Sequence, residues 1–315
     1  MSSLTIFGAT GMLGSEVAFF ATLVARERGK RLRMILHGSD EVRLEGLRAE
    51  LRQSCFPQLE VHCTTSVEEA VAYGGDIFFA RSMRAKLQSR ESMLLGNAPL
   101  AQELGRAIRL SGQQGGEPVH RVVCVTNPSD LMGLIIYKES GLAPEQVVSL
   151  SALDTMRFRC ALEDRGISVD DPTQVLTLGS HDMKMAPMID LIQVEGQSLR
   201  EVLSPEQVAE IQKEVIYAGT VIYRQRGHTA WQSPASLGLD MLWASDEHPF
   251  LLPSARYHDS ARYPDTFISL PTRIDSDGCH HYPLELSEAD QTALDAAYRS
   301  IWGMQEILKK EGFLR

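Results

Sequence analysis

The segment IFGATGMLG, residues 6–14, spaces Gly8, Gly11 and Gly14 at three-residue intervals between a β-rich run, LTIFGA, and an apolar-periodic stretch from Met12 to Arg28. Glycines at a strand-to-helix turn let the backbone bend sharply and approach an anion. The following helix start carries unpaired N–H groups and partial positive charge. The spacing therefore predicts a dinucleotide pyrophosphate seat built from Gly8, Gly11, Met12, Leu13 and Gly14. With no ligand, the same triplet would be a tight turn.

The pattern around this turn narrows the fold. Short β-rich runs (RMILHG, LEVHC, GDIFFA) alternate with helical patterns, including a charged one from Val42 to Arg52 and another from about Arg90 to Leu110. That alternation predicts right-handed βαβ units on a parallel sheet. After the polar break SGQQGGEP come the strand HRVVCVT, an Asn-Pro turn in NPSD with a helix through Tyr137, and a strand from Val147 to Ala152. The second half reads differently: a strand QVLTLGS, a long helix from Ser204 to Arg224, a helix near Pro234 to Leu242, antiparallel strands in TFISLPTRI and HHYPLEL, and a helix from Ser287 to about Lys310. The fold class expected is α/β, a doubly wound parallel sheet of the Rossmann type over residues 1–150 followed by an α+β catalytic domain over 151–315.

Composition removes several function classes. A net charge of -10 over 315 residues argues against nucleic acid or an anionic membrane as partner. No run approaches the roughly 20 apolar residues of a membrane-spanning helix. Five cysteines at irregular spacing, with no CxxC pair, suggest neither a disulfide framework nor zinc. These features, with an N-terminus that lacks a basic flank and a cleavable apolar core, point to a reduced, cytoplasmic chain. His280 and His281 are adjacent, so on a strand they point to opposite faces and cannot easily share a metal.

The end of the second strand reads I-L-H-G-S-D, with Gly38 where an acidic residue commonly bonds the adenosine ribose, followed by Ser39 and Asp40. A carboxylate about 4 Å from a 2′-phosphate would repel it by roughly 4 kcal/mol at an effective dielectric near 20. Gly38 removes that barrier, so both NAD and NADP remain open. Arg43 is a candidate phosphate partner, and Asp40 is a candidate helix cap.

Taken in order, GATGMLG, HGSDEVRLEGLRAEL, VTNPSD, LDTMRFR and GSHDMKMAP resemble the lactate/malate dehydrogenase family over essentially the whole chain. The charged helix and Gly38 look most like the malate branch that has glycine after the second strand. The resemblance implies an NAD- or NADP-dependent enzyme acting on a small anionic 2-hydroxy or 2-oxo acid, most like malate and oxaloacetate, and assembling as a homodimer or homotetramer. It makes His181 the acid/base and Asp154 the group that orients it. Arg157, three residues beyond Asp154, becomes the clamp on the substrate's C1 carboxylate. In the run MRAKLQSR, which resembles a mobile loop of the family, Arg84 is matched to the second-carboxylate ligand and Arg90 to the group that polarises the carbonyl. Asn97 and Asn127 fall near the cofactor and, for Asn127, the substrate oxygen. Thr229 in GHTAW falls on the pocket wall.

The same residue types have plainer readings. Asp and Arg three apart often form a helical ion pair, two arginines in a loop can be a solvated surface, and Thr229 can be a cap. The family's G-E-H-G-D-S-M-V-P is matched by Gly179, His181, Met185 and Pro187, whereas Ser180, Asp182, Met183 and Lys184 depart from it. The lead-in F-F-A-R-S-M-R also departs, reading about two residues shorter and placing Arg81 where a small residue usually adjoins the cofactor, so a cation near the phosphates is expected. These departures leave two alternatives: a dehydrogenase of lactate or another 2-hydroxy acid, and a non-catalytic dinucleotide-binding relative.

Overall fold

Six parallel strands carry the first half: β1 (Ser2–Phe7), β2 (Leu32–His37), β3 (Leu59–Thr64), β4 (Gly75–Phe79), β5 (Val119–Cys124) and β6 (Val147–Leu150). Helices α1 (Met12–Glu27), α2 (Glu41–Arg52), α3 (Val67–Ala72), α4 (Arg90–Gln113) and α5 (Ser129–Ser140) connect them. The strand order, β3-β2-β1-β4-β5-β6, reverses direction of growth between β1 and β4, which opens a crevice at the carboxyl ends of those strands. These features come from a computed structural model that describes residues 2–54, 56–83 and 89–314.

The second half runs α6 (Ala152–Glu163), β7 (Thr177–Leu178), β8 (Ala186–Pro187), β9 (Gln193–Val194), β10 (Gln197–Ser198), α7 (Leu199–Val202), α8 (Pro205–Arg226), α9 (Gln232–Leu242), β11 (Ser254–His258), β12 (Thr266–Leu270), β13 (Thr272–Asp275), β14 (Gly278–His281) and α10 (Glu288–Lys310). Three differences from the sequence reading affect where the site lies. The strand expected over QVLTLGS is only β7, so Gly179 to Lys184 form a loop. The antiparallel strands do not stay apart from the first half: β11 pairs with β6 and β12 with β11, extending one sheet to eight strands. The strand expected through Ala152 stops at Leu150, because Ala152 already opens α6.

Local chemistry accounts for the element boundaries. In α8, Ser204 accepts from Gln207 N, Gln207 Oε1 accepts from Ser204 N, Pro205 occupies the first turn, and Gly227 ends the helix at φ 75°. Both faces of the sheet are covered, as all-parallel strands require. Phe7, Ile77 and Phe79 pack toward α4 and α5, while Leu4, Ile6 and Phe78 face α1 and α9. Buried Arg121 of β5 donates to the carbonyls of Met241 (2.7 Å) and Leu242 (3.2 Å), supplying donors that the end of α9 lacks and fixing that helix on the sheet. A third core joins α6 to α8 through Phe158, Ile211 and Val215, and so sets the distance between the helix that carries Asp154 and the one beside it.

Candidate active site

The glycine turn leaves β1 at the crevice. Gly8 has φ 85°, and a Cβ there would lie 2.7 Å from the Ala80 carbonyl oxygen; a Cβ on Gly14 would lie 2.3 Å from that of Gly8. Both glycines are therefore needed for the turn to close. Gly11 is the N-cap of α1 and makes no side-chain cap bond, so the first-turn N–H groups, including those of Met12 and Leu13, remain available to an anion. A single methyl forced into a packed site costs about 1–3 kcal/mol, so Gly14→Ala should weaken NADH binding about tenfold. Fluorescence titration checks this, and unaltered affinity would remove Gly14 from the dinucleotide seat.

At the end of β2, Gly38 packs against Thr10 of the glycine turn and Ser39 is exposed. Asp40 takes the capping role: it accepts from Arg43 N at 3.2 Å and pairs with the Arg43 guanidinium at 3.5 Å. Arg81 turns to Glu103 of α4 at 2.7 Å. Each of these two cations thus has a carboxylate partner.

His181 sits on the loop after β7, facing α6. Its Nδ1 lies 2.6 Å from Asp154 Oδ2, and Arg157 Nη1 donates to Asp154 Oδ1 at 2.8 Å. Asp154 is 2% exposed and His181 22%. The Asp154 charge, outweighing burial, holds the imidazole above its ordinary pKa. Burial opposes ionisation of Asp154, but His181 and Arg157 outweigh it and hold the carboxyl below its ordinary range. With Asp154 ionised, the proton on this bond resides at Nδ1, which leaves Nε2 as the atom that can exchange a proton with a substrate. Arg157 is part of the same unit, and its guanidinium lies close to α8: a Cβ at Gly219 would come 3.2 Å from Nη2.

Arg90 is the first residue of α4, where a Ser89–Ser92 capping box fixes the backbone. Its Nη1 donates to the His181 carbonyl at 2.9 Å, and its Nη2 lies 3.5 Å from Asp182 and 3.8 Å from Asp130. Asp130 is wholly buried, and desolvation together with Asp182 raises its pKa against the pull of Arg90. Sequence reasoning passed over Asp130 as part of a helix start and saw Asp182 only as a mismatch. Gly219 left one faint signal, a glycine inside an otherwise helical pattern.

The remaining candidates differ in how they join this cluster. Asn97 is buried; its amide oxygen accepts from Met83 N at 2.9 Å and its nitrogen donates to the Asn127 carbonyl at 2.8 Å, so it braces both segments through their backbones. Asn127 is exposed at the crevice, and Thr229 is exposed in the loop before α9, with no hydrogen bond to the cluster among the described residues. Arg84 lies outside the described residues. Among those described, no group of three or more His, Cys, Asp or Glu could hold a metal, and no helix is long and apolar enough to cross a membrane.

Residues 2–149 match the family model for the lactate/malate dehydrogenase NAD-binding domain. The dinucleotide-binding half of the chain is thus a domain of the lactate/malate dehydrogenase family. Over 95% of its length and 94% of the relative's, the chain is 27% identical to a malate dehydrogenase of Picrophilus torridus. It is 26% identical to one of Helicobacter hepaticus, covering 99% and 98%. Its fold is similar to that of a Trichomonas vaginalis lactate dehydrogenase solved with NADH and oxamate (TM-score 0.84, 20% identity, 98% of each chain). A Salinibacter ruber malate dehydrogenase is also similar (TM-score 0.78, 22% identity, 98% and 99%). The open first turn of α1 and the methyl-excluding contacts at Gly8 and Gly14 fit the NAD of such a dehydrogenase.

Proposed function

We propose that this protein is an NAD-dependent 2-hydroxyacid dehydrogenase that interconverts malate and oxaloacetate. The Asp154–His181 pair beside Arg157, at the carboxyl end of the sheet from which the glycine turn also leaves, carries this reading. Bound nicotinamide supplies or accepts the hydride. In the reducing direction His181, charged and held by Asp154, gives the Nε2 proton to the carbonyl oxygen; in the oxidising direction neutral His181 removes it. Arg157 offers a planar fork to the C1 carboxylate while its Nη1 stays on Asp154, and Arg90 stabilises negative charge on the reacting oxygen. Asn97 holds the Asn127 backbone in register with this group. Arg84 is proposed as the ligand of a second carboxylate.

A second reading keeps the chemistry and changes the acid. It rests on Asp182 and on exposed Met183, which alter the loop next to His181. A panel of 2-oxo acids with NADH and NADPH separates the two. Oxaloacetate should be reduced fastest, and Arg84→Gln should abolish that preference; an enzyme indifferent to the substitution would use a monocarboxylate. Binding of NADH with no turnover of any acid would instead identify a non-catalytic relative.

Exposed Tyr217, Val221 and Tyr223 on α8 support a homo-oligomer, and the four cysteines among the described residues, all free, suit a reducing compartment such as the cytoplasm.

A further inference from the structure

Asp182 stands at a position where this chain departs from the family sequence, yet it is tightly engaged. Its side chain is 7% exposed. Oδ1 accepts from Ser180 Oγ at 2.6 Å and from Lys184 N at 2.7 Å, and Oδ2 accepts from Ser300 Oγ of α10 at 2.8 Å, with Arg90 Nη2 3.5 Å away. A carboxylate has about four lone-pair directions, so Asp182 has little capacity left for a substrate. What it can do is act on the arginine.

The dipeptide His181-Asp182 holds Arg90 at two points. The His181 carbonyl takes Nη1 and the Asp182 carboxylate faces Nη2, with buried Asp130 behind the same nitrogen. Arg90 Nε, also buried, has no hydrogen-bond partner among the described residues. The guanidinium is therefore located relative to the imidazole by the residue that bears the imidazole and by its neighbour. Ser300 carries the constraint into α10, which packs against α4 and α5.

We propose that Asp182 is a positioning residue that sets the Arg90 guanidinium against the acid/base histidine, a role that rests on the dehydrogenase reading above. It makes the placement of Arg90 a property of the His181 loop as well as of the segment before α4. Reacting groups displaced by about 1 Å can lose on the order of 100-fold in rate, and a charge-assisted contact that fixes a guanidinium guards against such displacement.

The test is a double-mutant cycle on the full chain, with NADH affinity and steady-state reduction of oxaloacetate as readouts. Asp182→Asn should lower kcat by about 10–100-fold and leave NADH affinity unchanged. In an Arg90→Gln background, it should cause no further loss, because its partner is already gone. Ser300→Ala removes one bond from the same Oδ2 with less risk to folding. It should give a smaller kcat loss that likewise vanishes without Arg90. Equal losses in both backgrounds, or an unchanged kcat, would overturn the proposal while leaving the dehydrogenase reading intact. Wild-type protein that binds NADH but reduces no 2-oxo acid would overturn both.

Discussion

His181→Asn is expected to slow NADH-dependent reduction of oxaloacetate by about 10²–10⁴-fold, the usual contribution of a positioned general acid. Asparagine keeps a polar side chain of smaller size but cannot give up a proton from Nε2, so the loss should fall on kcat. NADH affinity should survive, because the proposed dinucleotide seat at Gly8, Gly11 and Gly14 is built from the β1–α1 turn and, among the described residues, shares no hydrogen bond with the histidine. Stopped-flow single-turnover reduction separates chemistry from product release. A variant with a near-normal hydride-transfer rate would show that another group carries the proton.

Asp154→Asn should be nearly as damaging and should also change the pH profile. The carboxylate serves two partners at once, His181 Nδ1 and Arg157 Nη1. An amide can present only one oxygen, and its NH₂ group can turn toward Nδ1 and select the wrong tautomer. A loss on the order of 100-fold or more in kcat is expected, with a raised KM as Arg157 loses its anchor. The direction of the pH shift follows from the pair. His181 titrates above its ordinary value of about 6.5, chiefly because of Asp154. Reduction, which needs the protonated imidazole, should therefore persist above that value and fall as pH rises through the elevated pKa. Asp154→Asn should move that fall toward lower pH, and the rise of the oxidation rate should move with it. Linkage gives the same signs for stability. The contribution of raised His181 is lost as pH rises through its folded pKa, and that of depressed Asp154 is lost as pH falls through its own. An unmoved profile would sever the coupling between the two residues.

How much was legible in advance depended on how local each signal is. The glycine triplet, the βαβ alternation and the Ser-Pro-Glu-Gln start of α8 are set by neighbours within a few residues, and these elements form close to where the pattern places them. The strand β11, SARYH, carries no strong alternation; it forms because β6 and β12 offer pairing edges on both sides. A lone histidine has no local signature either. His181 emerged only from the order of motifs along the whole chain, and its distance to Asp154 spans 27 residues. Asp130 and Asp182 are illegible as neighbours because they meet at Arg90, which a third segment supplies.

The sequence by itself determined the parallel α/β plan and the glycine turn, because backbone geometry, helix caps and periodicity act over short separations; the residues matched to 2-oxo acid reduction came only from the resemblance of the ordered motifs to a family. Tertiary structure alone decided the pairings between distant segments, Arg81 with Glu103 and Arg90 with Asp182 and Asp130, whereas Arg43–Asp40 and Arg157–Asp154 are three residues apart and local. Charge pairing depends on distances of a few ångströms between segments far apart in the chain, and only packing of the sheet against its helices sets those distances.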